Sequence, residues 1–193
     1  MEPGNYCDVM VDIETGGTRP DHAPILQIAA VKFNLAEKTV DTTSMFDRCL
    51  LIPPGRYWDE GTRSWWGEQK RSILQDIYSR MEDPRTVMQA FADWAGYSPI
   101  QPLRFWAKPT SFDFSFIASY FTDFEIMNPF HFRFATDMNS YIRGMAGDSS
   151  LPTFKTEFVG DAHNAIYDTI NQIDAVFKAT EHFRPTPVLE HAS

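Results

Sequence analysis

The chain has 193 residues and a mass of 22.2 kDa, the size of one domain. Its 16 Phe, 7 Tyr and 5 Trp supply ample core and exclude a disordered chain. No apolar run approaches the roughly 18 residues of a membrane helix, and a net charge of −9 argues against a general polyanion binder. That balance still leaves room for an enzyme that holds only a few nucleotides, with divalent ions providing local positive charge. Cys7 and Cys49 fit neither a disulfide framework nor a zinc site. Met1-Glu-Pro-Gly lacks the basic and apolar regions of a secretory signal. The expected setting is a reducing cytoplasm, with no membrane association.

In chain order, alternation of Val9, Val11 and Ile13 with Met10, Asp12 and Glu14 predicts a strand over 6–14, broken by Thr15-Gly16-Gly17. Strands over 24–34 and about 39–51 complete an antiparallel meander. After a Pro/Gly-rich loop at 53–62, Trp65, Trp66, Ile73, Leu74 and Ile77 mark a helical stretch. Asp83-Pro84 starts the next helix, with Asp as cap and Pro in the first turn, and Val87, Phe91 and Trp94 follow at helical spacing. Leu103 to Ala107 reads as a short strand. Ser111 is expected to cap a helix whose apolar face is Phe112, Phe116, Ile117, Tyr120 and Phe121.

A strand near 131–135 leads into a helix carrying Met138, Tyr141, Ile142 and Met145, capped by Asp137 and ended by Gly147. The last helix is expected over 162–180, with Ile166, Ile170, Ile173 and Phe177 on its buried side. Residues 1–182 then form a single domain and 183–193 a loose tail. Three meander strands followed by strands alternating with helices indicate an α/β fold, a mixed sheet flanked by helices.

Three segments carry acids that could hold metal. Asp12 and Glu14 stand two residues apart on a strand, so they share a face with Cα atoms about 6.6 Å apart. Like charges on an apolar strand need compensation, which a hard divalent cation provides. The alternative is a strand edge whose acids face water. Asp113 lies in the first turn of an aromatic helix, where it either complements the helix dipole or faces a ligand at the C-terminal end of a strand. His163 and Asp168 are five residues apart, about 140° around a regular helix. They can meet only if His163 leans out of the loop before the helix; otherwise Asp161 is a cap and both are solvated.

Taken in order, these segments resemble the DEDDh 3′–5′ exonucleases. The first motif is Asp12-Ile13-Glu14 with Thr15, the second Phe112-Asp113, and the third His163-Asn164-Ala165-Ile166-Tyr167-Asp168. Size and Thr62-Arg63-Ser64-Trp65-Trp66 look most like small stand-alone exoribonuclease-like and phage members. Many members carry Asn four residues before the second-motif Asp, where this chain has Pro109. The resemblance implies an RNase H-like fold and two divalent cations, Mg²⁺ or Mn²⁺, held by Asp12, Glu14, Asp113 and Asp168. His163 would be the general base.

Thr15, with its following glycines, would approach the terminal nucleotide. Of Trp65 and Trp66, which point about 100° apart on a helix, one would be core and one would stack on a base. Arg63, Lys70, Arg71 and Lys108 are candidate phosphate contacts. The implied partner is the 3′ end of a nucleic acid, with RNA favoured. A DNA exonuclease or proofreading factor, and a silent module that binds nucleic-acid ends, are the alternatives. A homodimer is compatible with the aromatic content.

Overall fold

The computed structural model describes residues 6–98 and 100–184. Among them a seven-stranded mixed sheet is covered by six helices. Strand β1 (Asp8–Thr15) lies at its centre. It pairs antiparallel with β2 (Ile25–Asn34), which pairs antiparallel with β4 (Phe46–Leu50). On its other side β1 pairs parallel with β6 (Arg104–Ala107), and β6 with β7 (Ala135–Asp137). Two-residue strands β3 (Thr39–Val40) and β5 (Met81–Glu82) extend β2 and β4.

The helices are α1 (Glu60–Glu68), α2 (Arg71–Ser79), α3 (Pro84–Ala95), α4 (Thr110–Asp123), α5 (Met138–Ala146) and α6 (Ala165–Phe183). Alternation along β1 sorts them. Val9, Val11 and Ile13 enter one core with Val87 and Phe91 of α3 and Phe116 and Tyr120 of α4. Met10 enters the opposite core with Ile142 of α5 and Ile173 and Val176 of α6. Leu26 and Cys49 pack beneath Trp66, Ile73 and Ile77 of α1 and α2.

The structure departs from the sequence-based expectation at five places. The strand over 39–51 is interrupted, because the Asp41 carboxylate accepts from Thr43 N–H and Oγ1 and closes a local turn. The tryptophan-bearing stretch is two helices, separated where Gln69 is extended at φ −82° and ψ 170°. Ser111 is not a cap: Pro109 occupies that position, and the Thr110 N–H is satisfied by Asp137 Oδ2 at 3.2 Å. Asp137 also caps α5 by accepting from Ser140 N–H. Near 131–135 the chain makes a 3₁₀ turn over Phe132–Phe134, in which His131 Nδ1 accepts from Arg133 N–H, before β7 begins.

The last helix starts three residues later than expected and runs to Phe183. Ile170 is on its exposed side, while Thr169 and Gln172 are buried with Ile173. Of the expected tail, 185–193 lie outside the described residues. No described helix is long and apolar enough to cross a membrane.

Candidate active site

Asp12 and Glu14 alternate with Val11 and Ile13, so both carboxylates leave β1 on the side covered by α6. The parallel ladder to β6 spans only Asp8–Met10 of β1. Beyond it the chain has left β6 and entered α4, and Asp113 takes the place of a strand partner: its Oδ1 accepts from Ile13 N–H at 3.1 Å. Asp168, in the first turn of α6, comes down from above the sheet. One carboxylate oxygen each of Asp12, Glu14 and Asp168 lies within 4.8 Å of the other two. Asp113 borders the same cleft of about 390 Å³, as do Lys108, His163 and Gln172.

The electrostatics follow from this crowding. Burial, then the charges of Asp113, Glu14 and Asp168, hold the Asp12 carboxyl well above the usual range, against the pull of its Gln172 hydrogen bond. Burial pushes Glu14 up to about 8, with Asp168 and Asp113 adding repulsion. Burial also raises Asp113 to about 7, although backbone N–H groups oppose it. Asp168 is raised by burial and eased by the His163 N–H, the His163 ring and Lys108. The ion pairs of the described residues all lie elsewhere.

His163 precedes α6 with φ +62°, an uncommon conformation for a side chain with a Cβ. Its backbone N–H donates to Asp168 Oδ2 at 2.9 Å, so the loop is tied to the acid of the same motif. Its ring sits edge-on to Trp65 at 4.8 Å between centroids. Helix α6 is docked by Gln27, a fully buried glutamine on β2 opposite Glu14. Its Nε2 donates to Asp47 and Asn164, and its Oε1 accepts from Ala165 N–H at 3.3 Å. From the second turn of α6, Gln172 Nε2 donates to Asp12 Oδ1 at 2.6 Å.

Sequence reasoning passed over Gln27, Asn164 and Gln172. The available signals were a polar residue inside an otherwise apolar strand and a glutamine four residues after Asp168.

A second cavity of about 330 Å³ adjoins the first, sharing Ile13, Glu14 and Phe112 with it. Thr15, Gly17, Trp65 and Trp66 line it. Thr15 is buried, its Oγ1 donating to the Gly17 carbonyl at 2.7 Å and its carbonyl accepting from Trp66 Nε1 at 3.0 Å. Trp66 is core and Trp65 is exposed. A Cβ on Gly17 would lie 2.3 Å from an Asp59 oxygen, and that same carboxylate accepts from Thr18 N–H, which fixes the turn. Among the candidate phosphate contacts, Lys70 is paired with Asp161 at 2.6 Å and Arg63 sits 5.8 Å from the Trp58 ring. Lys108 stays on the cleft.

A family model described as the 3′–5′ exoribonuclease Rv2179c-like domain matches residues 7–180. The chain belongs to that family. That family's description is of a 3′–5′ exoribonuclease domain, and the mixed sheet is of the RNase H-like kind. No curated protein matches the chain significantly in sequence.

Among solved structures, exonuclease I superposes with TM-score 0.71 at 15% identity, covering 92% of this chain but only 41% of its own. The nuclease domain of 3′hExo, a DEDDh family member bound to rAMP, gives 0.63 at 14% identity, covering 92% and 94%. S. pombe Pop2p in a Mg²⁺- and Mn²⁺-bound form gives 0.66 at 11% identity, covering 91% and 83%. The chain thus spans about two fifths of exonuclease I, and at these identities the likeness is one of fold.

Proposed function

We propose that this chain is a 3′–5′ exonuclease, which removes nucleoside 5′-monophosphates from the 3′ end of RNA with the help of two divalent cations, Mg²⁺ or Mn²⁺. The observation that carries the reading is the convergence of Asp12, Glu14 and Asp168 oxygens within 4.8 Å, beside Asp113 and His163, with no lysine or arginine among the described residues in an ion pair with them. An all-carboxylate donor set whose acids are pushed up by burial and then by mutual repulsion fits hard divalent ions. The metal-bound form of the fold neighbour Pop2p supports their use, and the family description supports RNA.

Asp12, Glu14, Asp113 and Asp168 would hold the ions. When bound, these would add Lewis-acid charge at the scissile phosphate and make the attacking water more acidic. The protein's own contribution is positional. Gln172 fixes the Asp12 carboxylate, the Ile13 N–H fixes Asp113, and the His163 N–H fixes Asp168. His163 presents an imidazole at the rim to accept the proton of the attacking water. Trp65 and the Thr15–Gly17 turn form the walls against which the terminal nucleoside lies.

The test is digestion of sequence-matched 3′-labelled RNA and DNA with Mg²⁺, Mn²⁺ or EDTA. RNA label should be lost faster, only with metal, and His163→Ala should slow it by about 10²–10⁴-fold. Faster loss of the DNA label would replace RNA by DNA as the substrate. Cleavage that persists in EDTA would remove the metals from the mechanism.

A further inference from the structure

We propose that a lysine-bearing groove on the far side of the carboxylate cluster from Trp65 binds the phosphate on the 5′ side of the scissile bond. The proposal rests on the exonuclease reading above and deepens it. The groove, of about 230 Å³, shares Lys108, Asp168 and Gln172 with the carboxylate cleft. It continues between α6 and the segment 153–158, where Lys155 and the exposed ring of Phe158 line it. Its outer wall is fastened: Asn171 on α6 accepts from Val159 N–H at 2.9 Å and donates to the Val159 carbonyl at 2.8 Å.

The charges of the two flanking cavities differ in kind. The Trp65 cavity contains no lysine or arginine, and its only charged side chain is Glu14. The opposite groove carries Lys108 and Lys155. A nucleic acid presents the same asymmetry at its 3′ end. Beyond the scissile phosphate lies one uncharged nucleoside, whereas the retained strand carries one negative charge per nucleotide. The uncharged cavity therefore suits the nucleoside to be released and the lysine groove suits the strand that stays. In a chain of net charge −9, two lysines lining one groove beside an acidic cleft are a local reversal of sign. Phe158, beside them, offers a face for the adjoining base.

The test compares a diadenosine with a 5′-hydroxyl, whose only phosphate is the scissile one, with the same dinucleotide bearing a 5′-phosphate. Both are digested by the wild-type chain and by Lys155→Ala in Mn²⁺. The wild-type chain should prefer the 5′-phosphorylated substrate in kcat/KM by about three- to tenfold, and Lys155→Ala should abolish that preference while turning over the 5′-hydroxyl form as before. For longer oligonucleotides the slope of log KM against log salt should fall by about 0.7 in the variant. Equal use of the two dinucleotides by the wild-type chain, or an equal loss on both in the variant, would overturn the groove and leave the exonuclease reading standing. No hydrolysis of any substrate would overturn both.

Discussion

Strand β1 buries acids at both ends, and the fold treats them in opposite ways. At its start Asp8, 1% exposed, accepts from Arg104 through both oxygens at 2.6 and 2.7 Å and from Trp106 Nε1 at 2.8 Å. Four residues later Asp12 and Glu14 meet Asp113 and Asp168, and the one neutral donor to Asp12 is Gln172. A structural carboxylate is compensated from within the chain. The cluster at the far end has no ion pair among the described residues, and its four acids are left for a bound cation to balance.

The sharpest way to break this comparison is to neutralise one acid at each end. Asp12→Asn should cut exonuclease activity by about 10³-fold or more, an expectation set by the loss of a metal ligand. The metal-free protein should melt no lower at pH 8, and by repulsion relieved should melt higher. Asp8→Ala should do the reverse. Removing the partner of Arg104 and Trp106 leaves them unpaired and should destabilise by about 2–3 kcal/mol, discounted because the Arg104 side chain is 48% exposed. Activity per folded molecule should stay near that of the parent. Thermal melts in EDTA with parallel kcat measurements decide both, and a matching loss of stability in Asp12→Asn would erase the contrast.

Next in size is the pH dependence of the metal-free fold. Glu14 is held at about 8 against an ordinary 4.5, and Asp113 at about 7 against 3.8. The folded state thus keeps protons that the unfolded chain releases. The stability these groups contribute is complete below about pH 4 and declines as pH rises towards 8, by an amount on the order of a few kcal/mol. Mn²⁺ should cancel the decline by binding the ionised cluster, so the gain in Tm on adding Mn²⁺ should grow from pH 5 to pH 8. A gain independent of pH would place the metal elsewhere.

How much of this was legible in the sequence depends on how local each relation is. Strand alternation puts Asp12 and Glu14 on one face with no tertiary knowledge. The Asp113–Ile13 bond joins residues 100 apart, and nothing near either announces it. Regular helix geometry separates His163 from Asp168; they meet because the chain takes positive φ at His163 and α6 begins only at Ala165. The break at Gln69 was hidden because apolar residues on both sides keep a helical spacing across it. Gln27 is a single polar residue in an apolar strand, and its three partners lie 20, 137 and 138 residues away.

Gln172 sharpens the comparison at smaller scale. It donates to Asp12 from α6 while its own Oε1 is buried without a partner among the described residues. Gln172→Ala frees the Asp12 carboxylate to rotate and should lower kcat about 10–100-fold, the usual effect of removing a group that orients a metal ligand. Mn²⁺ affinity, read by calorimetry, should weaken in step. Loss of kcat at unchanged Mn²⁺ affinity would show that Gln172 acts on substrate instead.

The smallest effect on activity separates the adjacent tryptophans. Trp66 is 3% exposed with its indole N–H on the Thr15 carbonyl, so Trp66→Ala opens a core cavity and strands that carbonyl. A cost of about 3–5 kcal/mol follows. Trp65 is 39% exposed and touches the Trp66 and His163 rings at their edges. Trp65→Ala should leave the melting temperature nearly unchanged and raise KM about five- to tenfold through lost stacking on the terminal base. The pH profile of kcat gives the second readout. If Trp65 also holds the His163 ring, Trp65→Phe should restore both the profile and KM, because a phenyl ring supplies a face for the base and a contact for His163. A variant that recovers KM but not the profile would assign the ring contact to the indole itself.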